Sequence, residues 1–363
     1  MERNACYLSQ ESQLIASATL YIYQPKTLSS VLLVLLFPPY LPRSHIIMTD
    51  AEGQIHQPIH PDILKKLDPE FAAFHTATSL YQVPLHLLPW DPAVRKGSPV
   101  NGASEPLPVG SIKDIPLGKF SVRVFTPEGS APDAGWPVLI YFHGGGWTLG
   151  NINTENAFCT NICKRAKAVV VSVDYRLAPE NPYPAAVEDA VETLQWVYAN
   201  GKAQLNIDTT KIAVGGSSSG GNLAAVVAHK AVQAVPPIPV FFQLLVVPVT
   251  DNTATTSGVP YKSWAENANT VQLTPGRMLW FRNNYLPNEK DRTAWESSPI
   301  FAPEESFKKL PKAWVAVMDL DVLRDEGIEY ANKMKAAGVD VEVKLYETAP
   351  HPILAMDGES SCV

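Results

Sequence analysis

From position 120 onward the chain alternates between short, nearly continuous apolar runs and stretches in which apolar residues return every three or four positions. Residues 120–125, 138–142, 168–173, 211–214, 241–247, 313–318 and 341–346 read as strands. Between them, residues 154–166, 184–200, 223–235 and 322–337 read as helices, and in the second of these Ala186, Ala190, Leu194 and Val197 share one face. Strands that are apolar on both sides and separated by helices must be covered on both faces. The pattern therefore predicts an α/β fold with a mostly parallel central sheet. Residues 251–312 break this rhythm. They carry Trp264, Trp280, Phe281, Tyr285 and Trp295 among scattered prolines, and are expected to form an inserted cap element. Upstream, Ile63, Leu64, Leu67, Phe71 and Phe74 recur at helical spacing and predict an amphipathic helix over residues 61–80 that acts as cover. Residues 100–117 are rich in Pro, Gly and Ser and predict a linker.

Residues 1–47 have a different character. The apolar stretch 31–37 is cut short by Pro38-Pro39, well under the ~20 residues that a membrane-spanning helix needs. It also lies deep for a signal peptide and has Glu2 and Glu11 ahead of it. The expectation is a functional start at Met48, preceded by a gene-model extension or a poorly ordered segment. Membrane association is not expected, and the cytoplasm is the expected compartment. The expected organisation is then 1–47 as that extension, 48–117 as N-terminal cap helices and linker, and 118–363 as the main domain, with the cap insertion at about 251–312.

Composition narrows the options. A chain of 363 residues, 46% of them hydrophobic, can bury a large core. The net charge of -7 has mixed signs throughout and leaves no basic patch of the kind nucleic acids require. Cys159 and Cys163 stand four apart in a predicted helix, and no His or Cys joins them at zinc-like spacing. Together with Cys6 and Cys362 they suggest small buried thiols in a reducing compartment rather than a disulfide framework.

The densest chemistry lies in Gly215-Gly216-Ser217-Ser218-Ser219-Gly220-Gly221, between the strand at 211–214 and the helix that follows. It contains one Gly-x-Ser-x-Gly, centred on Ser218. A serine hydroxyl is a poor nucleophile until a sharp turn lifts it out and a base stands beside it; small residues at 216 and 220 permit such a turn. The strand-turn-helix around this serine resembles that of the α/β-hydrolases, and that resemblance implies a chain order of nucleophile, then acid, then base. Of eight histidines only His229 and His351 follow Ser218. His229 lies two or three turns into the helix that begins at the turn, and so points away. That leaves His351, in a loop after the strand ending near Glu347. Asp319, Asp321 and Asp325 all lie near the end of the strand at 313–318; Asp325 is one turn into the next helix and suits a loop-supporting role. Spacing does not choose between Asp319 and Asp321. A third element, His143-Gly144-Gly145-Gly146-Trp147, follows the strand at 138–142. Its glycines expose backbone N–H groups, so Gly145 and Gly146, with Ser219 after the nucleophile, are the candidate donors of an oxyanion hole. His143 is expected to anchor the loop.

Four segments together resemble the hormone-sensitive-lipase branch of the α/β-hydrolases, the GDXG lipolytic family. They are His143-Gly144-Gly145-Gly146-Trp147; Asp174-Tyr175-Arg176-Leu177-Ala178-Pro179-Glu180; Gly216-Ser217-Ser218-Ser219-Gly220-Gly221-Asn222-Leu223-Ala224; and Asp321-Val322-Leu323-Arg324-Asp325-Glu326-Gly327. The likeness spans roughly residues 60–357. It implies an α/β-hydrolase fold with Ser218 as nucleophile, Asp321 as acid and His351 as base, a cap over the site, and no metal or organic cofactor. The chain departs from the family pattern at Ser217, where Asp is usual, at Ser219, where Ala is usual, and at Pro352, where Gly is common. Residues 358–363 are too few for the terminal helix that family members pack on the sheet, so lower stability than in a helix-extended version is expected. The implied activity is that of a serine carboxylesterase on small, short-acyl esters, through an acyl-enzyme at Ser218; likeness to fungal members adds deacylation of a secondary metabolite. The alternatives are an amidase or deacetylase with the same triad, and a non-catalytic ligand-binding relative, against which His351 argues. Trp147, Trp264 and Trp280 are open to two roles, pocket wall or core. A homodimer is open as well.

Overall fold

The computed structural model describes residues 53–96, 102–351 and 353–356; the readings made for residues 1–47, for Pro352 and for the tail 358–363 lie outside them. Apolar alternation builds the sheet. In β3 (Trp136–Phe142), Val138, Ile140 and Phe142 point to one side and Leu139 and Tyr141 to the other, and all five are buried. The remaining strands are β1 (Ser111–Leu117), β2 (Phe120–Thr126), β4 (Val169–Asp174), β5 (Ile207–Ser217), β6 (Val240–Val246), β7 (Lys312–Leu320) and β8 (Val341–Pro350). They lie in the order β1-β2-β4-β3-β5-β6-β7-β8. The first two pairings are antiparallel and all the others parallel. This is the fold class that the apolar rhythm predicts.

The helices are α1 (Pro61–Leu64), α2 (Pro69–Thr78), α3 (Asn156–Ala166), α4 (Ala185–Leu205), α5 (Ser219–Gln233), α6 (Ser263–Glu266), α7 (Pro275–Tyr285), α8 (Glu304–Phe307) and α9 (Arg324–Ala336). On one face of the sheet Ala186, Ala190, Leu194 and Val197 of α4, Leu223 and Val227 of α5 and Tyr330 of α9 join Val138, Ile140, Val171 and Val214 in one buried layer. On the other, Cys159 and Cys163 of α3 pack with Phe125, Leu139, Tyr141 and Val170. Farther along the sheet, Ile63, Leu67 and Phe71 cover Val246 of β6 and Ala316 and Met318 of β7. Both cysteines are free buried thiols, and burial pushes the Cys163 thiol up to about 11.

Two elements differ from the sequence reading. The helix expected over 61–80 is two helices, because Asp68 opens a new one: its carboxylate accepts the N–H groups of Glu70 (2.9 Å) and Phe71 (3.1 Å), and Pro69 takes the first helical position. The linker expected over 100–117 gives way to β1. This is an exposed edge strand without apolar alternation, held by its register with β2 and by the Asp114–Arg123 pair at 2.7 Å. Nothing local marks it, since its partner supplies the order. Residues 251–312 contain α6, α7, α8 and two short 3₁₀ turns between β6 and β7. Among the described residues no helix is long and apolar enough to cross a membrane.

His229, set aside above as a base, is a core residue of α5. Ser306 donates its hydroxyl to the Pro303 carbonyl, so its oxygen accepts from His229 Nδ1–H (2.8 Å), and Nε2 accepts from the Tyr330 hydroxyl (3.0 Å). Burial, with Lys333 nearby, pushes its pKa from 6.5 down to about 3. The unfolded chain therefore takes up a proton below pH 6.5 that the folded chain refuses until about pH 3, and stability present above pH 6.5 is lost across that window. Urea unfolding at pH 7.5 and pH 5 should show a smaller loss of stability for His229→Gln than for the wild type, by on the order of 1–2 kcal/mol. Equal losses would contradict this reading.

Candidate active site

The turn between β5 and α5 brings a strand into a helix with no spare room. A Cβ on Gly216 would overlap the Gly220 carbonyl, and one on Gly220 would overlap the Phe142 carbonyl at the end of β3. Ser218, between them, takes φ 53° and ψ -116°, a conformation that costs a non-glycine residue about 1–3 kcal/mol and persists only where surroundings enforce it. Those surroundings are explicit. Ser218 N–H donates to the Val246 carbonyl (2.8 Å), and its own carbonyl accepts from the N–H groups of Asn222 (3.0 Å) and Val249 (3.3 Å). Asn222 in turn ties the carbonyls of Val249 (2.9 Å) and Ser297 (2.8 Å) to the first turn of α5.

Ser218 Oγ stands 3.0 Å from His351 Nε2, and His351 Nδ1 stands 2.7 Å from Asp321 Oδ2. The three side chains are in line and almost fully covered, Ser218 7% exposed, His351 6% and Asp321 0%. Asp321 is held in place from its other oxygen, which accepts the Leu323 N–H at 2.9 Å. Asn267 donates to the carbonyls of both Asp319 and Asp321 (3.0 Å each) and so fixes the turn after β7. The ambiguity left by spacing resolves geometrically. Asp319 turns to Arg324 (3.3 Å), and Asp325 accepts the Ser263 N–H (2.8 Å) and pairs with Arg324 (2.8 Å). Only Asp321 of the three meets the imidazole.

The glycine-rich loop is built against the same turn. Gly145 and Gly146 have φ of +117° and +60°, and a Cβ on Gly146 would run into the Phe281 ring of α7. Gly144 lies so close to residue 217 that its Cβ would stand 2.7 Å from Ser217 Oγ. His143 stacks on Tyr175 with ring centroids 4.4 Å apart, its Nδ1 meets the Gly144 carbonyl (2.7 Å), and Tyr175 donates its hydroxyl to the His143 carbonyl (2.8 Å). Burial lowers the His143 pKa, which favours a neutral anchor. The segment Asp174–Glu180 extends this support: Arg176 pairs with Asp189 of α4 (2.7 Å), and Glu180 with Arg95 (2.7 Å), which also reaches the carbonyls of Thr148 and Ala178 (2.7 and 2.6 Å).

The tryptophans divide. Trp147 is fully buried and stacked on Tyr285 (4.2 Å), and Trp264 is fully buried with its N–H on Glu326 (3.2 Å); both are core. Trp280 is half-buried between Phe281 and Trp90, at 5.0 and 5.9 Å. Sequence reasoning passed over Glu155 and Arg95, whose partners lie tens of residues away. Among the described residues no cluster of His, Cys, Asp or Glu is placed to hold a metal ion.

A family described as alpha/beta hydrolase fold matches residues 139–355, well over half of the chain. The chain belongs to the hormone-sensitive-lipase-like branch of the α/β-hydrolases. An AB hydrolase superfamily protein of Schizosaccharomyces pombe is 47% identical over 313 residues, which is 83% of this chain and 91% of that relative. The esterase LipI of Mycobacterium tuberculosis is 40% identical over 245 residues, 68% of this chain and 74% of that one. Among solved structures, a hyperthermophilic esterase from the archaeon Pyrobaculum calidifontis superimposes with a TM-score of 0.64 at 37% identity, over 69% of this chain and 80% of that one. A thermostable esterase from Pseudomonas putida superimposes with a TM-score of 0.70 at 34% identity, over 82% and 92% of the two chains.

The crowding at the turn makes a direct prediction. Gly220→Ala should destabilise the fold by about 2–4 kcal/mol, because the methyl group meets backbone that cannot move aside. Chemical denaturation measures this, and an unchanged midpoint would contradict the packing described.

Proposed function

We propose that the protein is a serine carboxylesterase that hydrolyses small, short-acyl esters through an acyl-enzyme at Ser218. The observation that carries this reading is the hydrogen-bonded line from Ser218 through His351 to Asp321. In this mechanism His351 Nε2 takes the Ser218 proton as Oγ attacks the ester carbonyl, and returns it to the departing alkoxide. Water then enters, gives its proton to the same nitrogen and attacks the acyl-enzyme; collapse frees the acid and restores Ser218. Asp321 holds the imidazole in the tautomer with its proton on Nδ1 and stabilises the imidazolium that forms at each step. The backbone N–H groups of Gly145, Gly146 and Ser219 receive the carbonyl oxygen as it becomes an anion. The positive φ at both glycines and the position of Ser219 at the head of α5 support that role.

Several relatives carry names of the same chemistry, including esterase LipI and the carboxylesterase NlhH of Mycobacterium tuberculosis. The low exposure of Ser218 and His351 favours a small ester that enters singly over an aggregated lipid surface. In this reading residues 53–96 and 251–312 form the cap, with Phe281 against Gly146 and the rings of Trp280 and Trp90 packed in turn behind Phe281.

The protein should turn over p-nitrophenyl acetate and butyrate, with kcat/KM falling for acyl chains of about ten carbons and more. Ser218→Ala should lose at least about 1,000-fold in kcat, and Asp321→Asn on the order of 10³–10⁴-fold with the fold intact. A fluorophosphonate should add to Ser218, read by peptide mass spectrometry. Turnover retained in Ser218→Ala, or labelling at another residue, would overturn the proposal.

A further inference from the structure

Glu155 precedes α3, at a position where a side chain would ordinarily cap the helix, yet its carboxylate makes no cap bond to that helix. It reaches into the core between β3 and β5 instead. Oε2 accepts the Tyr141 hydroxyl (2.5 Å), and Oε1 accepts both the Ser217 hydroxyl (2.6 Å) and the Gly144 N–H (3.0 Å). The residue is 8% exposed. A carboxylate is expensive to bury unless donors surround it, and here three do. Burial, with Glu155 beside it, raises the Tyr141 pKa, so that hydroxyl stays protonated and remains a donor.

The partners belong to three elements that must be in register for the chemistry. Tyr141 is next to last in β3, Gly144 is directly before Gly145 and Gly146, and Ser217 is directly before Ser218. Residue 217 is also where the family resemblance places an acid. We propose that Glu155 is a positioning residue for ester hydrolysis: a single buried carboxylate that fastens the glycine-rich loop to the nucleophile turn and so sets the oxyanion donors relative to Ser218. The inference rests on the esterase reading of the site. Removing the carboxylate lets the loop shift from the turn, and donors that meet the oxyanion only in the transition state lose their aim. Such a loss lowers kcat and leaves KM nearly unchanged.

The test is steady-state hydrolysis of p-nitrophenyl butyrate, with kcat expressed per Ser218 titrated by a fluorophosphonate. Glu155→Ala should lower kcat per titrated site about 100-fold with KM within about threefold of wild type. Glu155→Gln keeps an acceptor for Gly144 and should lose only about 5–10-fold. Adding Ser217→Asp, which returns a carboxylate to the same pocket, should regain at least about fivefold over either single variant. A merely structural role would lower the folded, titratable fraction and leave kcat per site unchanged. Wild-type kcat per site in Glu155→Ala, a change confined to KM, or no regain with Ser217→Asp would overturn the proposal. If Glu155→Ala does not fold, Glu155→Gln with and without Ser217→Asp is read by the same criteria. Failure of the wild type itself to label at Ser218 would count against the esterase reading, and is distinguished from failure here by that control.

Discussion

The close approach of β3 and β5 at their C-terminal ends is the constraint on which the rest depends. The carbonyl of Phe142 lies where a methyl at residue 220 would have to go, and the carbonyl of Gly220 lies where one at residue 216 would. Because neither position can carry a side chain, β5 can stop, reverse and begin α5 within a few residues, and Ser218 is driven into a backbone conformation it would not otherwise adopt. The cost of that conformation is offset by the hydrogen bonds to Val246, Val249 and Asn222. The same contact brings the loop after β3 alongside the turn after β5. Adjacent parallel strands thus deliver a hydroxyl and a row of backbone amides to one end of the sheet, where open α/β sheets commonly hold their ligands.

The remaining groups arrive from the strands on the far side. β7 ends in a turn that Asn267 and Thr270 hold by its carbonyls, and this turn aims Asp321 toward β8. β8 ends one residue before His351, with Pro350 in register opposite Leu320. The imidazole therefore lies between a carboxylate fixed by one strand and a hydroxyl fixed by another. Burial strengthens both hydrogen bonds, since little water competes for them. The acidic network at Glu155 serves the opposite side of the site in a similar way, with one carboxylate joining pieces of chain that local structure alone would leave independent.

Much of this was legible in the sequence because it was written in local pattern. The apolar rhythm carried the parallel sheet, and the small residues at 216 and 220 beside Ser218 carried the turn. Elimination left His351, since His229 falls two or three turns into the helix after Ser218, and the structure shows it held there by Ser306 and Tyr330. The rest required three dimensions. Spacing does not separate Asp319 from Asp321; the resemblance favoured Asp321, and in the structure Asp319 turns to Arg324 while Asp321 meets His351. β1 owes its order to β2, not to its own residues. The break at Asp68 was visible as a capping residue before a proline, but continuous apolar spacing across 63–74 obscured it. Glu155 and Arg95 act on partners 11 to 85 residues away, which no window of periodicity can register.

A crystal structure of the protein after reaction with a fluorophosphonate tests the central geometry most directly, because the tetrahedral phosphorus occupies the place of the reacting carbon. The account predicts a covalent bond to Ser218 Oγ and a phosphoryl oxygen within about 3 Å of the amide nitrogens of Gly145, Gly146 and Ser219, with the His351 ring still joined to Asp321. An adduct whose phosphoryl oxygen points away from those amides, or an imidazole with no contact to either neighbour, would contradict it.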